Sequence, residues 1–255
     1  EITGPVSLTW TPFPTLIVSN LSLANQANSK TPYMFTVEQI RAEIEWFSLF
    51  KEPLIIKKVV LEKPSLLLER MRQHETNFDF PILFKATQNI DPTFLNGQND
   101  FSLTINEVEI KNGTFTYDNI VSGEKAIFNG IMGTGSVSSL YGPFSFSGTF
   151  LMADKPQKIE MTVGKIELSQ DLPITLNLAD VSSKTTIKTN GTIVQDTEKA
   201  ENWLTLSGVI SSDNASLFFQ NIGIKHWPTG SLVGSFTLKV MTNKTTTFVS
   251  NKAIH

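Results

Sequence analysis

The clearest indication of fold class is the segment Phe144-Ser145-Phe146-Ser147-Gly148-Thr149-Phe150-Leu151-Met152. Its phenylalanines and its methionine share one parity, and serine and threonine fill most of the other. A repeat of two residues is the period of a β-strand whose two faces meet different surroundings. The stretch therefore predicts a strand with one apolar face and one solvated face, as in an antiparallel sheet.

The same alternation continues along the chain in both directions from this stretch. Strand signals of this kind recur roughly fourteen times. Two short helical turns interrupt them: one at 47–50, and one that begins at an Asn214 cap and ends at Gly223. The residues on the apolar parity, which are the candidate site residues, are Val6, Leu8, Leu16, Val18, Ile40, Ile44, Leu103, Ile105, Phe144, Phe146, Phe150, Met152, Ile159, Met161, Val163, Ile174, Leu176, Leu178, Ile187, Ile193, Leu204, Leu206, Ile210, Phe236, Leu238 and Val240.

The first half of the chain alternates less regularly than the second. Apolar parity changes between Val18 and Leu21, which predicts a β-bulge at Ser19-Asn20. A turn-rich segment separates the two halves, and we predict three parts: 1–88, a loop or linker at 89–100, and 101–255. We expect the first and third parts to form one continuous sheet.

Five glycines stand inside predicted strands on the apolar parity: Gly130, Gly148, Gly191, Gly208 and Gly234. A glycine inside a strand marks a bend or the close approach of another chain segment. The bend alone explains the pattern if the sheet has to curl. The alternative is that missing side chains keep space open on the apolar face.

Composition excludes several classes of function. The net charge is -3, so there is no basic field for nucleic acid. Without cysteine there is no disulfide, thiolate nucleophile or Cys-ligated metal. The three histidines are scattered, the carboxylates show no catalytic pairing, and the glycine-rich segment 130–136 lacks the lysine of a phosphate loop. We therefore predict no catalytic residue, no metal and no cofactor.

An antiparallel sheet of this length has to bury its apolar face. It can close as a barrel, stack as a sandwich with a dry core, or curl around a ligand. Alternation alone does not separate these outcomes, and the sandwich is the default among them.

Several segments, in this order, resemble the AsmA family. They include Ile2-Thr3-Gly4-Pro5-Val6, Leu16-Ile17-Val18-Ser19-Asn20-Leu21-Ser22-Leu23 and Gly142-Pro143-Phe144-Ser145-Phe146-Ser147-Gly148. In the run Thr76-Asn77-Phe78 the family's asparagine is present, but its preceding glycine is absent. The resemblance extends over nearly the whole chain.

The resemblance implies a long, strongly curled antiparallel sheet that forms an open groove, a half-tube lined by the apolar residues above. It also implies a non-enzymatic lipid conduit in the periplasm, anchored to the inner membrane by a helix before Glu1. Such a protein moves phospholipid between the inner and outer membranes and supports outer-membrane assembly. The expected partners are phospholipid or another acyl-chain lipid and, through the anchor, the membrane.

Two competing functions remain open: a structural or interaction β-sandwich of the cell envelope with a closed dry core, and a carbohydrate-active β-protein. We further expect more strands after His255. The strand near 232–240 would then be an artificially exposed edge that favours edge-to-edge self-association.

Overall fold

The computed structural model of the chain describes residues 1–50, 54–71, 76–77, 103–139, 141–152, 154–167, 171–196, 201–221, 229–241 and 247–254. These residues form fourteen strands, one 3-10 turn and one α-helix. The predicted all-β fold is therefore confirmed.

Two compact units make up the chain, unit 1 (Glu1–Tyr141) and unit 2 (Gly142–His255). The division into 1–88 and 101–255 stays a prediction, and the expected linker 89–100 lies outside the described residues.

Unit 1 holds seven strands and a 3-10 turn in its described residues. Its sheet order is β1-β2-β3-β4-β6-β7, and β5 continues the line of β4 between β3 and β6. The bounds are β1 (Val6–Thr9), β2 (Thr15–Ala24), β3 (Tyr33–Ile44), the 3-10 turn (Trp46–Leu49), β4 (Leu54–Glu62), β5 (Ser65–Arg70), β6 (Leu103–Asn119) and β7 (Glu124–Val137).

One part of the unit 1 sheet departs from the predicted antiparallel arrangement. Strands β4 and β5 both pair with β6 in parallel, so the sheet is mixed. Parallel neighbours need a long crossover connection, which period-2 alternation does not reveal. Of the residues between β5 and β6, only Met71, Thr76 and Asn77 are described.

A row of left-handed residues crosses unit 1. Asn20, Lys63 and Asn112 have φ of 50°, 48° and 54°. The ladder places Lys63 beside Asn112, and it places Asn20 in the same row on the other side of β3. Gly130, with φ of 59°, lies near this row in β7. We call this row the crease.

The crease explains the parity change that predicted a bulge at Ser19-Asn20. The register between β2 and β3 does not shift there, so the bulge prediction is wrong with respect to β3. Instead Asn20 takes a left-handed conformation, which asparagine tolerates better than most residues. That conformation interrupts the alternation of side chains, while the register between β2 and β3 is unchanged.

Unit 2 is an antiparallel meander in which consecutive strands pair. Its elements are β8 (Phe144–Met152), β9 (Lys155–Val163), β10 (Leu172–Asp180), β11 (Thr185–Asp196), β12 (Glu201–Ser212), α1 (Ala215–Asn221), β13 (Leu232–Met241) and β14 (Thr247–Ile254).

Both predicted helical turns exist, with small shifts. The first is the 3-10 turn, one residue earlier than expected. The second is α1, where the Asn214 side chain accepts a hydrogen bond of 3.0 Å from the Leu217 backbone N–H, as an N-cap does. The expected end at Gly223 lies outside the described residues.

The strand near 232–240 is not the last one. It is β13, and β14 pairs with it from Lys239–Thr247 to Val233–Ile254. The expectation that β13 is an exposed edge is therefore wrong. The alternation of 247–254 is interrupted by Ser250-Asn251-Lys252, opposite a register shift in β13, so it does not indicate a strand. Edge-to-edge association of the chain stays a prediction.

Candidate functional site

The ladder of unit 2 aligns most of the predicted site residues in rows that run across the strands. Directly paired residues of adjacent strands lie on the same face of a sheet. Three consecutive rows, which we call the open rows, are Phe144, Val163, Ile174, Gly191, Leu206 and Leu238; Phe146, Met161, Leu176, Thr189, Gly208 and Phe236; and Gly148, Ile159, Leu178, Ile187, Ile210 and Gly234.

Five more predicted residues of unit 2 share this parity outside the open rows. The register pairs Ile193 with Leu204, and Leu204 with Val240, beyond the first open row. Met152 pairs with Lys155 at the opposite end. Phe150 belongs to a fourth row, described below.

Most apolar side chains of the open rows are half-buried. Leu206 is the single buried apolar side chain among them, at 7% exposure, and the other apolar side chains are half-buried. The opposite face of β8 and β9 carries exposed Ser145, Ser147, Glu160 and Thr162. In a closed core the centre of the apolar face is the most buried part, so the open rows form an apolar surface that the described chain leaves partly uncovered.

Two of the five glycines lie where a neighbouring strand approaches closely. A Cβ built on Gly191 would stand 1.9 Å from the Thr205 backbone oxygen, and one on Gly208 would stand 2.4 Å from that of Lys188. Even a methyl group does not fit there. Gly130 has the positive φ of the crease, while a space-opening role for Gly148 and Gly234 stays a prediction.

The fourth row closes the face at one end, and we call it the polar row. It consists of Phe150, Gln157, Asp180, Thr185, Ser212 and Leu232. All six side chains are buried, and the four polar ones are 1–2% exposed.

Asp180 is the centre of a hydrogen-bonded network in the polar row. Its carboxylate accepts hydrogen bonds from the Ser182 backbone N–H (2.9 Å), the Ser182 hydroxyl (2.6 Å) and the Ser183 hydroxyl (2.7 Å). Burial by itself raises the pKa of Asp180, but these hydrogen bonds outweigh it, so the pKa lies below its ordinary value. The carboxylate is therefore ionised at neutral pH.

The network extends from Asp180 across the polar row. Ser183 and Thr185 lie 2.6 Å apart, oxygen to oxygen, and so do Thr185 and Ser212. The Gln157 amide is near enough to Asp180 to lower its pKa, but Gln157 Nε2 has no hydrogen-bond partner of ordinary geometry.

Helix α1 covers this end of unit 2. Asn221 Nδ2 donates to Asp180 at 3.3 Å, and the Asn214 backbone N–H donates to the Ser183 carbonyl at 3.2 Å. Ala215 and Phe218 are the buried residues of the helix. The apolar face of unit 2 therefore ends at the polar row and helix α1, which hydrogen bonds connect. We call these two elements together the wall.

Sequence reasoning missed this wall, although a signal for it exists. Asp180 follows Leu172, Ile174, Leu176 and Leu178 on the same parity, and a carboxylate on an apolar parity needs partners. Two serines and a threonine within five residues of it, Ser182, Ser183 and Thr185, supply the hydroxyl groups.

Unit 1 carries an apolar face of its own, formed by strand segments on one side of the crease. The predicted residues fall into its rows, which are Leu8, Leu16, Ala42, Val59 and Val108; Val6, Val18, Ile40, Leu61 and Ile110; and Ile44, Ile56, Ile105 and Val137. Leu103 pairs with Leu54 beyond the last row. Val6 and Leu8, on the edge strand, are 56% and 46% exposed.

The opposite face of unit 1 is charged. The Lys58 ammonium lies 2.8 Å from carboxylate oxygens of both Glu107 and Glu109, and hydrogen bonds to these carboxylates raise its pKa. Because these side chains are partly solvated, the ion pairs between them contribute little to stability.

Asn77, the asparagine quoted for the family resemblance, has a structural role. Its Oδ1 accepts a hydrogen bond of 2.6 Å from the Glu69 backbone N–H, and its Nδ2 donates to the Leu67 carbonyl at 2.9 Å. The Glu69 side chain, 1% exposed, accepts hydrogen bonds from Ser29 and Asn25. Asn77 thus fixes the chain beside β5.

The described residues contain neither a metal site nor a membrane-spanning helix. No group of histidine, aspartate and glutamate among them is arranged to hold a metal ion, and His74, His226 and His255 lie outside them. None of the described helices has the length and apolarity needed to cross a membrane.

Comparison with known proteins identifies the family. A search of curated proteins found no match, and a search of solved structures also found none. Residues 1–217 match the AsmA family, which is not a known enzyme family. The chain therefore belongs to the AsmA family and is a protein of the bacterial cell envelope.

Proposed function

We propose that the chain binds lipid and that acyl chains lie on its apolar faces. The open rows of unit 2 support this most directly, since they present apolar side chains that the described chain only half covers. Removing a methylene group from water contributes about 0.8 kcal/mol. An acyl chain laid along an open row therefore has a large driving force and needs no specific contact.

The rows suit such a ligand because they run across the strands. Seven strands at a spacing of about 4.8 Å give unit 2 a row about 29 Å long. One leaflet of a bilayer is about 15 Å deep in its hydrocarbon part, so a row has room for an acyl chain and for movement along it. Many similar side chains in sequence let a lipid slide without a single deep binding site.

In this proposal each sheet curls into a groove that holds the acyl chains. The protein is anchored to the inner membrane and moves phospholipid between the inner and outer membranes, which supports outer-membrane assembly. Membership of the AsmA family supports these finer statements.

A closed interaction sandwich is the second candidate, and the burial pattern disfavours it. A dry sandwich core buries apolar side chains from both layers. In unit 2 the four polar side chains of the polar row, at 1–2% exposure, are instead more buried than any apolar side chain of the open rows.

Mass spectrometry of lipids extracted from the purified protein tests the proposal. We expect phospholipid in the wild type and about tenfold less in Phe146→Asp, because an unpaired carboxylate on the acyl-binding face is costly to desolvate. Ser145→Asp, on the exposed opposite face of the same strand, is the matched control and should keep the lipid. Equal lipid content in both folded variants, or none in the wild type, would refute the proposal.

A further inference from the structure

A cluster of exposed aromatic side chains lies at one end of the unit 1 sheet. It comprises Trp10, in the turn after β1, and Trp46, Phe47, Leu49 and Phe50, in and just after the 3-10 turn; we call it the aromatic cluster. Both turns lie at the same end because Thr9 pairs with Thr15, and Thr15 with Glu43.

Ring stacking and hydrogen bonds hold the aromatic cluster in a defined conformation. The Trp10 and Trp46 rings stack with centroids 5.9 Å apart, and Trp46 Nε1 donates to the Pro12 carbonyl at 3.2 Å. Ser48, buried at 6% exposure, donates to the Glu45 carbonyl at 2.8 Å and so fixes the turn from inside.

This construction directs two phenyl rings outward. Phe47 is 75% and Phe50 85% exposed. Large apolar side chains that a fixed turn holds in solvent mark an interaction surface. Trp and other aromatic rings favour the interface between membrane and water, where an apolar ring meets lipid and the indole N–H meets polar groups.

A bilayer fits this surface better than a protein does. A protein partner would need a separate pocket for each protruding ring, whereas lipid conforms to any projecting shape. The cluster also continues the apolar face of unit 1, because Trp10 lies two residues beyond Leu8 and Trp46 two residues beyond Ile44. A lipid leaving a bilayer at this end would meet apolar side chains without a gap.

The charges beside the cluster are mixed. Glu45 precedes Trp46, and the Lys57 ammonium lies 3.8 Å from the centroid of the Phe13 ring at the base of the turns. Attraction to anionic lipid is therefore not the main term, and binding should change little with salt.

We propose that the aromatic cluster inserts into the interfacial layer of a lipid bilayer and places the end of the unit 1 apolar face at the membrane surface. A role of this insertion in the entry or exit of lipid rests on the proposed function. The insertion itself does not depend on that function.

Flotation of the full chain with phosphatidylcholine vesicles tests this inference. We expect wild-type protein to float, and the vesicle partition coefficient to fall at least about tenfold in Phe47→Ser/Phe50→Ser, since each ring is transferred from water to an apolar medium. The matched control is Val121→Ser/Val181→Ser, which removes side chains of 63% and 60% exposure elsewhere and should float like the wild type.

Tryptophan fluorescence gives an independent measurement. In a Trp203→Phe/Trp227→Phe background, Trp10 and Trp46 are the remaining tryptophans. Their emission should shift to the blue on vesicles and be quenched by brominated phosphatidylcholine. Equal flotation of the serine variant and the wild type, or no quenching, would overturn the inference.

Failure of this inference and failure of the proposed function are distinguishable. If Phe47→Ser/Phe50→Ser floats like the wild type while the lipid that co-purifies depends on Phe146, the aromatic cluster is refuted and lipid binding stands. If the serine variant loses flotation while no purified variant contains lipid, bilayer insertion stands and the lipid-binding proposal fails.

Discussion

The open rows and the polar row share one face of the same strands in unit 2, yet they are built in opposite ways. The apolar side chains of the open rows are mostly half-buried, whereas Gln157, Asp180, Thr185 and Ser212 are 1–2% exposed. Globular proteins ordinarily bury their aliphatic side chains and expose their charged ones. Here the relation is reversed.

The reversal has a physical reason on each side. Polar groups withdraw from water without loss only where they satisfy one another, as the Asp180 network does. Apolar groups need only a cover, and the described chain supplies little for the open rows. The chain itself therefore completes the polar row, whereas the described residues leave the open rows half-covered, as the proposed lipid binding requires.

The largest effect is expected when the carboxylate at the centre of the polar row is removed. Asp180→Ala should lower the free energy of unfolding by about 3 kcal/mol, because three hydrogen-bond donors of Ser182 and Ser183 lose their buried acceptor. Urea denaturation followed by circular dichroism measures this. Asp213→Ala is the control: its side chain is 69% exposed and pairs with Lys184, so its effect should stay under about 0.5 kcal/mol. Equal effects would mean that the polar row is ordinary surface.

A smaller effect is expected inside the open rows, at Gly191. The Cβ of Gly191→Ala would collide with the Thr205 backbone oxygen, and relief of the overlap should cost about 2 kcal/mol. Asn190→Ala, on the exposed side of the same strand, is the control for the same denaturation experiment. A neutral Gly191→Ala would show that β11 and β12 separate easily at this position, which would contradict a rigid arrangement of the open rows.

The alternation of apolar and polar residues within single strands predicted much of this fold. The pairing of strands distant in the sequence could not be predicted from it. Period-2 alternation identified β8 and β10, and it placed most of the predicted site residues in common rows, because alternation is a property of a strand alone. The parallel pairing of β4 with β6 depends on a connection of forty residues, 63–102, and no local signal predicts it.

The crease and the polar row were missed for related reasons. The left-handed conformation of Lys63 is set by the neighbouring strands, since lysine has no preference for that region. The alternation of 172–178 does not single out Asp180, because its hydrogen-bond partners lie in the following turn and on α1. In both cases the residue's role depends on neighbours that a single strand does not contain.

The smallest effect, and the most selective, is expected from acid. The folded-state pKa of Asp180 lies below its value in the unfolded chain, which is about 3.9 for an aspartate. Its contribution to stability is thus complete above about pH 5 and is lost as the pH falls through the unfolded and then the folded pKa. Open-row side chains do not titrate, so this loss belongs to the polar row. The difference in unfolding midpoint between the wild type and Asp180→Asn should therefore be constant above pH 5 and shrink below it. A constant difference down to pH 3 would show that the Asp180 carboxylate does not stabilise the wall through its charge.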